Sequence, residues 1–162
     1  MKQSIIAFIL FCSCNTSEKV YAPNFEQIDF TYDSGWKVAY SMKIYKDGSV
    51  YIGDGRWNKK YFSATLPIER VKSMDSLFTK IPFSQYDSNY KEEIEDQSSY
   101  KVIIIKPDND TVSVFVYGKN APLLLENFFH ELKNIRETLQ LEAKDTTISF
   151  LSLRNFYLPP IK

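Results

Sequence analysis

Residues 38–55 read VAYSMKIYKDGSVYIGDG. Val38, Tyr40, Met42 and Ile44 alternate with Ala39, Ser41, Lys43 and Tyr45. A period of two puts the first set on one face of a strand and the second set on the other. Asp47-Gly48 supplies a tight turn, because glycine takes the positive φ that a short hairpin connection demands. Val50-Tyr51-Ile52 then returns as the partner strand. Gly53 and Gly55 predict a bulge or a close backbone approach near its end. Strands joined by so short a turn must run antiparallel, and this decides the class of sheet.

The same reading extends outward. FEQIDFTY, residues 25–32, predicts a strand before the hairpin, and KKYFSATL, residues 59–66, one after it. Pro67 suits the first turn of a helix. Ile68, Val71, Met74, Leu77, Phe78 and Ile81 follow at helical spacing, and Pro82 ends the run. Residues 84–99 are polar and acidic and predict a loop. YKVIIIK and TVSVFVY, joined by PDND at 107–110, predict a second hairpin. A second helix is expected from Pro122 to Leu141, with Leu125, Phe128, Leu132, Ile135 and Leu139 on its apolar face. A last strand is expected at 146–153. The expected class is α+β, in the order ββββ-α-ββ-α plus the final strand. Both amphipathic helices are expected on one face of an antiparallel sheet.

Composition excludes several functions. Twenty Lys plus Arg balance twenty Asp plus Glu. No basic excess exists to displace counterions from phosphates, so nucleic acid is not an expected partner. Five glycines and no glycine-rich phosphate motif argue against a nucleotide cofactor, and none is expected. Twelve Phe, eleven Tyr and two Trp suffice for the core of one domain of this length.

The chain begins MKQSIIAFILFCSC. A lysine followed by a seven-residue apolar run, Ile5 to Phe11, has the layout of a secretory signal and is too short to span a bilayer. It ends in FCSC, which resembles a bacterial lipobox. Ser13 before Cys14 suits acylation, whereas the bulky Phe11 precedes Cys12. The expected organisation is a signal peptide at 1–13, an acylated Cys14 with a tether to residue 24, and one domain at 25–162. Acyl chains contribute about 0.8 kcal/mol per buried methylene, so several would hold the protein on a membrane. Asn15 in place of Asp after the cysteine points to the outer membrane. Cys12 and Cys14 are the two cysteines of the chain. A domain starting at Cys14 therefore has no thiol left for disulfide, metal or nucleophile chemistry.

Four segments carry a family resemblance: YDSGWKVAYSMKIYKDGSVYIGDG, PIERVKSMDSLFTKIPF, DSNY with IEDQSSYKVIIIK, and VYGKNAPLLLENFFHELKNI. Their order and spacing over residues 26–141 resemble bacterial secreted lipoproteins of domain-of-unknown-function type 6438. That family typically shows Cys-x-Gly-x-Cys-Pro-x-Tyr. Aligning Gly35 and Tyr40 places its cysteines at Asp33 and Lys37 and its proline at Val38. The cysteine pair is absent here. The resemblance implies an ion pair between Asp33 and Lys37 in its place. It implies no activity.

Individual residues offer little catalysis. His130 is the single histidine, with no nucleophile motif beside it, and a packing or surface role is expected. Glu92, Glu93, Glu95 and Asp96 lack the glycine and spacing of a calcium loop, so a solvated acidic loop is expected and no metal. Asp96 is expected to cap a turn. Aromatics crowd the first hairpins; Trp36, Tyr51 and Trp57, together with Asp96, are the candidate binding residues. The expected function is a non-enzymatic envelope lipoprotein binding an envelope protein or glycan. An inhibitor or immunity-type lipoprotein is the alternative. An envelope hydrolase comes third, and needs carboxylates such as Asp54 and Asp96 to meet in a cleft.

Overall fold

The computed structural model describes residues 21–56 and 60–156. The expected signal peptide, Cys12, Cys14 and most of the expected tether lie outside the described residues, as does Trp57. Four strands come first: β1 (Gln27–Asp33), β2 (Ala39–Tyr45), β3 (Ser49–Asp54) and β4 (Lys60–Thr65). Helix α1 (Ile68–Phe78), a 3₁₀ turn (Phe83–Gln85), β5 (Asn89–Lys91), β6 (Ser99–Ile105) and β7 (Thr111–Tyr117) follow. Helix α2 (Leu123–Thr138) and β8 (Glu142–Lys144) complete the order. One eight-stranded sheet results, arranged β5-β7-β6-β1-β2-β3-β4-β8. Helix α1 carries the chain from the β4 side to the β5 edge, and α2 carries it back from β7 to β8.

Directly opposed residues of antiparallel strands share a face. Phe30 pairs with Met42 and with Val102, and Met42 pairs with Ile52. These side chains are buried against Val71, Met74 and Phe78 of α1 and Phe128, Leu132 and Ile135 of α2. Phe30 lies 5.9 Å from Phe129, centroid to centroid, with ring planes 22° apart. Each such side chain contributes about 1.5–3 kcal/mol by leaving water. The alternation read from residues 38–45 holds from Tyr40 to Tyr45, with Tyr40, Met42 and Ile44 on the helix side; Val38 precedes β2 and is 51% exposed.

Several expectations need correction. No bulge occurs at Gly53; the register from Tyr40↔Asp54 to Ile44↔Val50 is unbroken. Ile68 is 43% exposed, so the apolar stripe of α1 starts at Val71. The loop expected at 84–99 contains β5, which pairs parallel with β7 and places Tyr90 against the core. Helix α2 stops at Thr138 rather than Leu141. Leu139 is extended at ψ 137°, and the chain turns there to lay β8 on β4.

The largest correction concerns the tail. Residues 146–153 form no strand. They belong to a strap that crosses the second face of the sheet, strand after strand. Lys43 of β2 donates to Ser149 O at 2.7 Å, and Lys101 of β6 donates to Arg154 O at 2.5 Å. Phe156 meets Phe115 of β7 edge-on at 6.0 Å. Between them, β1 offers the fully buried Asp29. Its carboxylate accepts Leu151 N–H at 2.8 Å, Ser152 N–H at 3.1 Å and Ser152 Oγ–H at 2.5 Å. Because Ser152 donates to Asp29, Thr31 must donate to Ser152, and Ser41 to Thr31. A segment bonded to the sheet through side chains in this way cannot also join its backbone ladder. The other end of the domain is tied as well. Asp75 of α1 accepts from Tyr21 Oη at 2.5 Å and from Asn24 N at 2.8 Å.

Asp29→Asn preserves shape but turns an amide NH₂ toward donors already aimed at the carboxylate. One buried donor then loses its acceptor, which costs about 1–3 kcal/mol. We expect urea unfolding to show a loss of that size. Asn at position 29 with unchanged stability contradicts the strap's dependence on this carboxylate.

Candidate functional site

One end of the sheet collects the loops that follow β1, β3, β5 and β7. The β1–β2 loop is the best braced. Asp33, almost fully buried at the end of β1, receives Arg56 as a fork: Nε to Oδ2 at 2.9 Å and Nη2 to Oδ1 at 3.1 Å. Arg56 Nη2 also donates to Gly35 O at 2.6 Å, and Gly35 N–H returns to Asp33 Oδ1 at 2.7 Å. Gly35 sits at φ 83°, a conformation that glycine adopts without steric cost. Ser34 Oγ accepts from the N–H groups of Lys37 and Val38 at 3.2 and 2.9 Å. Arg56 therefore locks the β3–β4 loop to the β1–β2 loop.

This corrects the ion pair expected at Asp33. Its partner is Arg56, not Lys37, whose side chain has no carboxylate within 4.0 Å among the described residues. An arginine fork fits a carboxylate at two points, which a lysine cannot do.

The neighbouring loops are tied in turn. Glu92 N–H donates to Tyr117 O at 3.0 Å, Gly118 N–H to Ser98 O at 3.1 Å, and Asn120 Nδ2 to Lys91 O at 3.2 Å. Asp96 occupies a turn here at φ 61°, a left-handed conformation that Asp tolerates. The scaffold presents apolar side chains to solvent. Trp36 is 69% exposed, Val38 51%, Ile94 57%, Leu123 70% and Leu124 40%. They are five of the six strongly exposed large apolar residues among those described. The sixth, Ile68, begins α1 at the opposite end.

On the helix side of this end, Tyr32 lies 5.6 Å from Tyr40 and 5.1 Å from Tyr100. Lys133 Nζ sits 4.5 Å above the Tyr32 ring. Arg136 lies 5.5 Å from the Tyr40 ring and pairs with Asp54 at 3.3 Å. Burial pushes the Tyr40 and Tyr100 hydroxyls above their ordinary range, with Arg136 and Lys133 pulling the other way. Both phenols stay protonated at neutral pH.

The candidate residues are not gathered in one place. Trp36 and Asp96 share the loop end. Tyr51 projects from mid-β3, edge-on to Tyr45 at 6.0 Å, and lines a cleft of about 990 Å³ beside β4 and the α2–β8 connection. Asp54 faces α2 while Asp96 lies in the β5–β6 turn, and no described cavity is lined by both. A cavity beside Asp33 and Arg56, under the strap, measures about 40 Å³, room for a few waters and not for a substrate. Sequence reasoning missed Arg56, Lys133 and Arg136. No periodicity marks them, because each acts on a residue distant in sequence.

Arg56→Ala should leave Asp33 as a buried, unpaired carboxylate and lower stability by about 2–4 kcal/mol in chemical denaturation. Arg56→Lys should recover only part of that, and Lys37→Ala should change it by less than about 0.5 kcal/mol. A larger effect from Lys37→Ala than from Arg56→Ala reverses the assignment.

Comparison with protein families finds a match to the domain of unknown function DUF6438 over residues 39–136. The matched span runs from the start of β2 to the last turns of α2. It leaves β1, β8 and the strap outside. No curated protein matches the chain. The match covers more than half of the sequence and agrees in position with the family resemblance of the hairpins and helices. The chain belongs to the family of domain of unknown function DUF6438.

Proposed function

We propose that this protein is a lipid-anchored component of the bacterial envelope whose α+β domain binds a partner protein through its loop end. The observation that carries the reading is the concentration of exposed apolar residues at that end, opposite the point where the chain joins the sheet. Tyr21 and Asn24 are fastened to α1 at the start of β1, whereas Trp36 follows its finish. A seven-residue strand spans roughly 23 Å. A lipid on Cys14 would join the domain through Tyr21 at the near end, whereas Trp36, Val38, Ile94, Leu123 and Leu124 lie at the far end. Tryptophan and aliphatic anchors on braced loops are the composition of an interface core. The outer membrane is the proposed residence. A protein is favoured over a glycan because the rim is built largely of aliphatic side chains rather than aromatic platforms. Among the described residues Asp54 and Asp96, the carboxylates on which a hydrolase reading rests, line no common cavity.

Two measurements separate the parts of this reading. Cys14→Ser should abolish acyl labelling and release the protein from membranes; labelling that survives it and is lost in Cys12→Ser moves the anchor to Cys12. A photo-crosslinking residue placed at Trp36 or Ile94 should yield a discrete protein adduct in intact cells, while the same residue at Ile68 should not. Equal adducts from Ile68, or none from the loop end, contradict docking there. Trp36→Ala should weaken the purified complex about 30-fold, the size of a hot-spot deletion of about 2 kcal/mol.

A further inference from the structure

Beside the tyrosines, β6, β7 and α2 enclose a cavity of about 280 Å³ that none of the apolar rim residues lines. Its floor is apolar. Tyr100 and Phe129 stack with planes 9° apart and centroids at 5.3 Å, and Val116 adjoins them. Its wall is charged with both signs. Glu126, His130 and Lys133 recur at i, i+4 and i+7 along α2, and Lys119 comes from the β7–α2 loop. Among the described residues, neither lysine has a carboxylate, and Glu126 has no cation, within 4.0 Å. Asn134 Nδ2 lies 3.1 Å from His130 Nδ1. An amide NH₂ only donates, so Nδ1 accepts, and the neutral ring carries its proton on Nε2.

Glu126 and Lys133 are seven residues apart, about 10 Å along the helix axis. One or two amino-acid residues with a hydrogen bond at each end span roughly that separation. A simple anion would be repelled by Glu126, and a simple amine by the two lysines. A ligand carrying both charges satisfies all three groups. We propose that this cavity binds a zwitterionic apolar amino acid or dipeptide. Its carboxylate lies between Lys119 and Lys133, its ammonium on Glu126 and its side chain on the Tyr100–Phe129 floor. The site depends neither on the lipid anchor nor on the apolar rim.

The test is a titration of the full chain, followed by NMR, with leucyl-alanine and its two end-blocked forms. N-acetyl-leucyl-alanine lacks the ammonium, and leucyl-alaninamide lacks the carboxylate. Leucyl-alanine should shift the signals of Gly118, Lys119 and His130, and each blocked form should bind at least about tenfold more weakly, a loss of about 1.4 kcal/mol. Glu126→Gln should weaken leucyl-alanine without further weakening the acetylated form, and Lys133→Met should do the same for the amide. Thermal melting confirms that each variant folds, and the blocked probes decide the matter on the unaltered protein even where one does not. Equal binding of all three probes overturns the proposal. So does the absence of shifts at those residues up to about 10 mM, where a site of even a few kcal/mol would fill.

Discussion

The fold depends on β1 having both faces buried. It lies between β2 and β6, near the middle of the sheet, with Ile28 and Phe30 fully buried on the helix side. Its other side carries Asp29, Thr31 and Asp33, all buried as well. A polar row inside a protein needs partners, since each unsatisfied group costs about 1–3 kcal/mol and an unpaired charge more. Asp29 takes its donors from the backbone and hydroxyl of the strap. Thr31 joins a hydroxyl chain running from Ser41 to Ser152. Asp33 takes Arg56 from the β3–β4 loop. Three residues of one strand thus recruit the C-terminal segment and fix the geometry of the loop end.

This requirement joins the rigid body of the domain to its exposed end. Trp36 and Val38 follow Asp33 within five residues, in a loop whose shape is set by Asp33, Gly35 and Ser34. Apolar side chains on a loose loop would lose conformational entropy on contact with a partner; on this loop much of that loss has already occurred in folding. The β5–β6 and β7–α2 loops reach the same end by a different route, tied through Tyr117, Gly118 and Asn120. Loop-to-loop hydrogen bonds and one half-buried arginine thereby brace the loops that carry the exposed apolar residues.

Most of the sheet was legible because its signal is local. Alternation from Tyr40 to Tyr45, the Asp47-Gly48 turn, and the two valine- and isoleucine-rich strands each announce themselves within a few residues. The helices were equally plain in their interiors. What escaped depends on residues far apart in sequence. The β5 strand is three residues long and exists because β7 offers it an edge. The strap has the alternation of a strand, yet β4 already has β8 on its outer side, and the buried carboxylate of Asp29 claims its backbone donors. At the loop end, a resemblance located Asp33 as a special position but supplied the wrong partner. Lys37 is close in sequence, whereas Arg56, twenty-three residues on, has the planar fork that a buried carboxylate requires.

The family match adds a division within the domain. The floor and charged wall of the small cavity lie between residues 100 and 133, inside the matched span of 39–136. The polar row of β1 and the strap that satisfies it lie outside that span. The span alone cannot form the sheet seen here, because β2 and β6 touch only through β1. A central strand must therefore be provided by the segment before residue 39. Its helix-facing side must be apolar, but its other side answers only to whatever covers it. In this chain an arginine fork and a buried carboxylate with its own strap close that second face. The cavity formed by β6, β7 and α2 stands on the opposite face, lined by none of the residues that the strap satisfies.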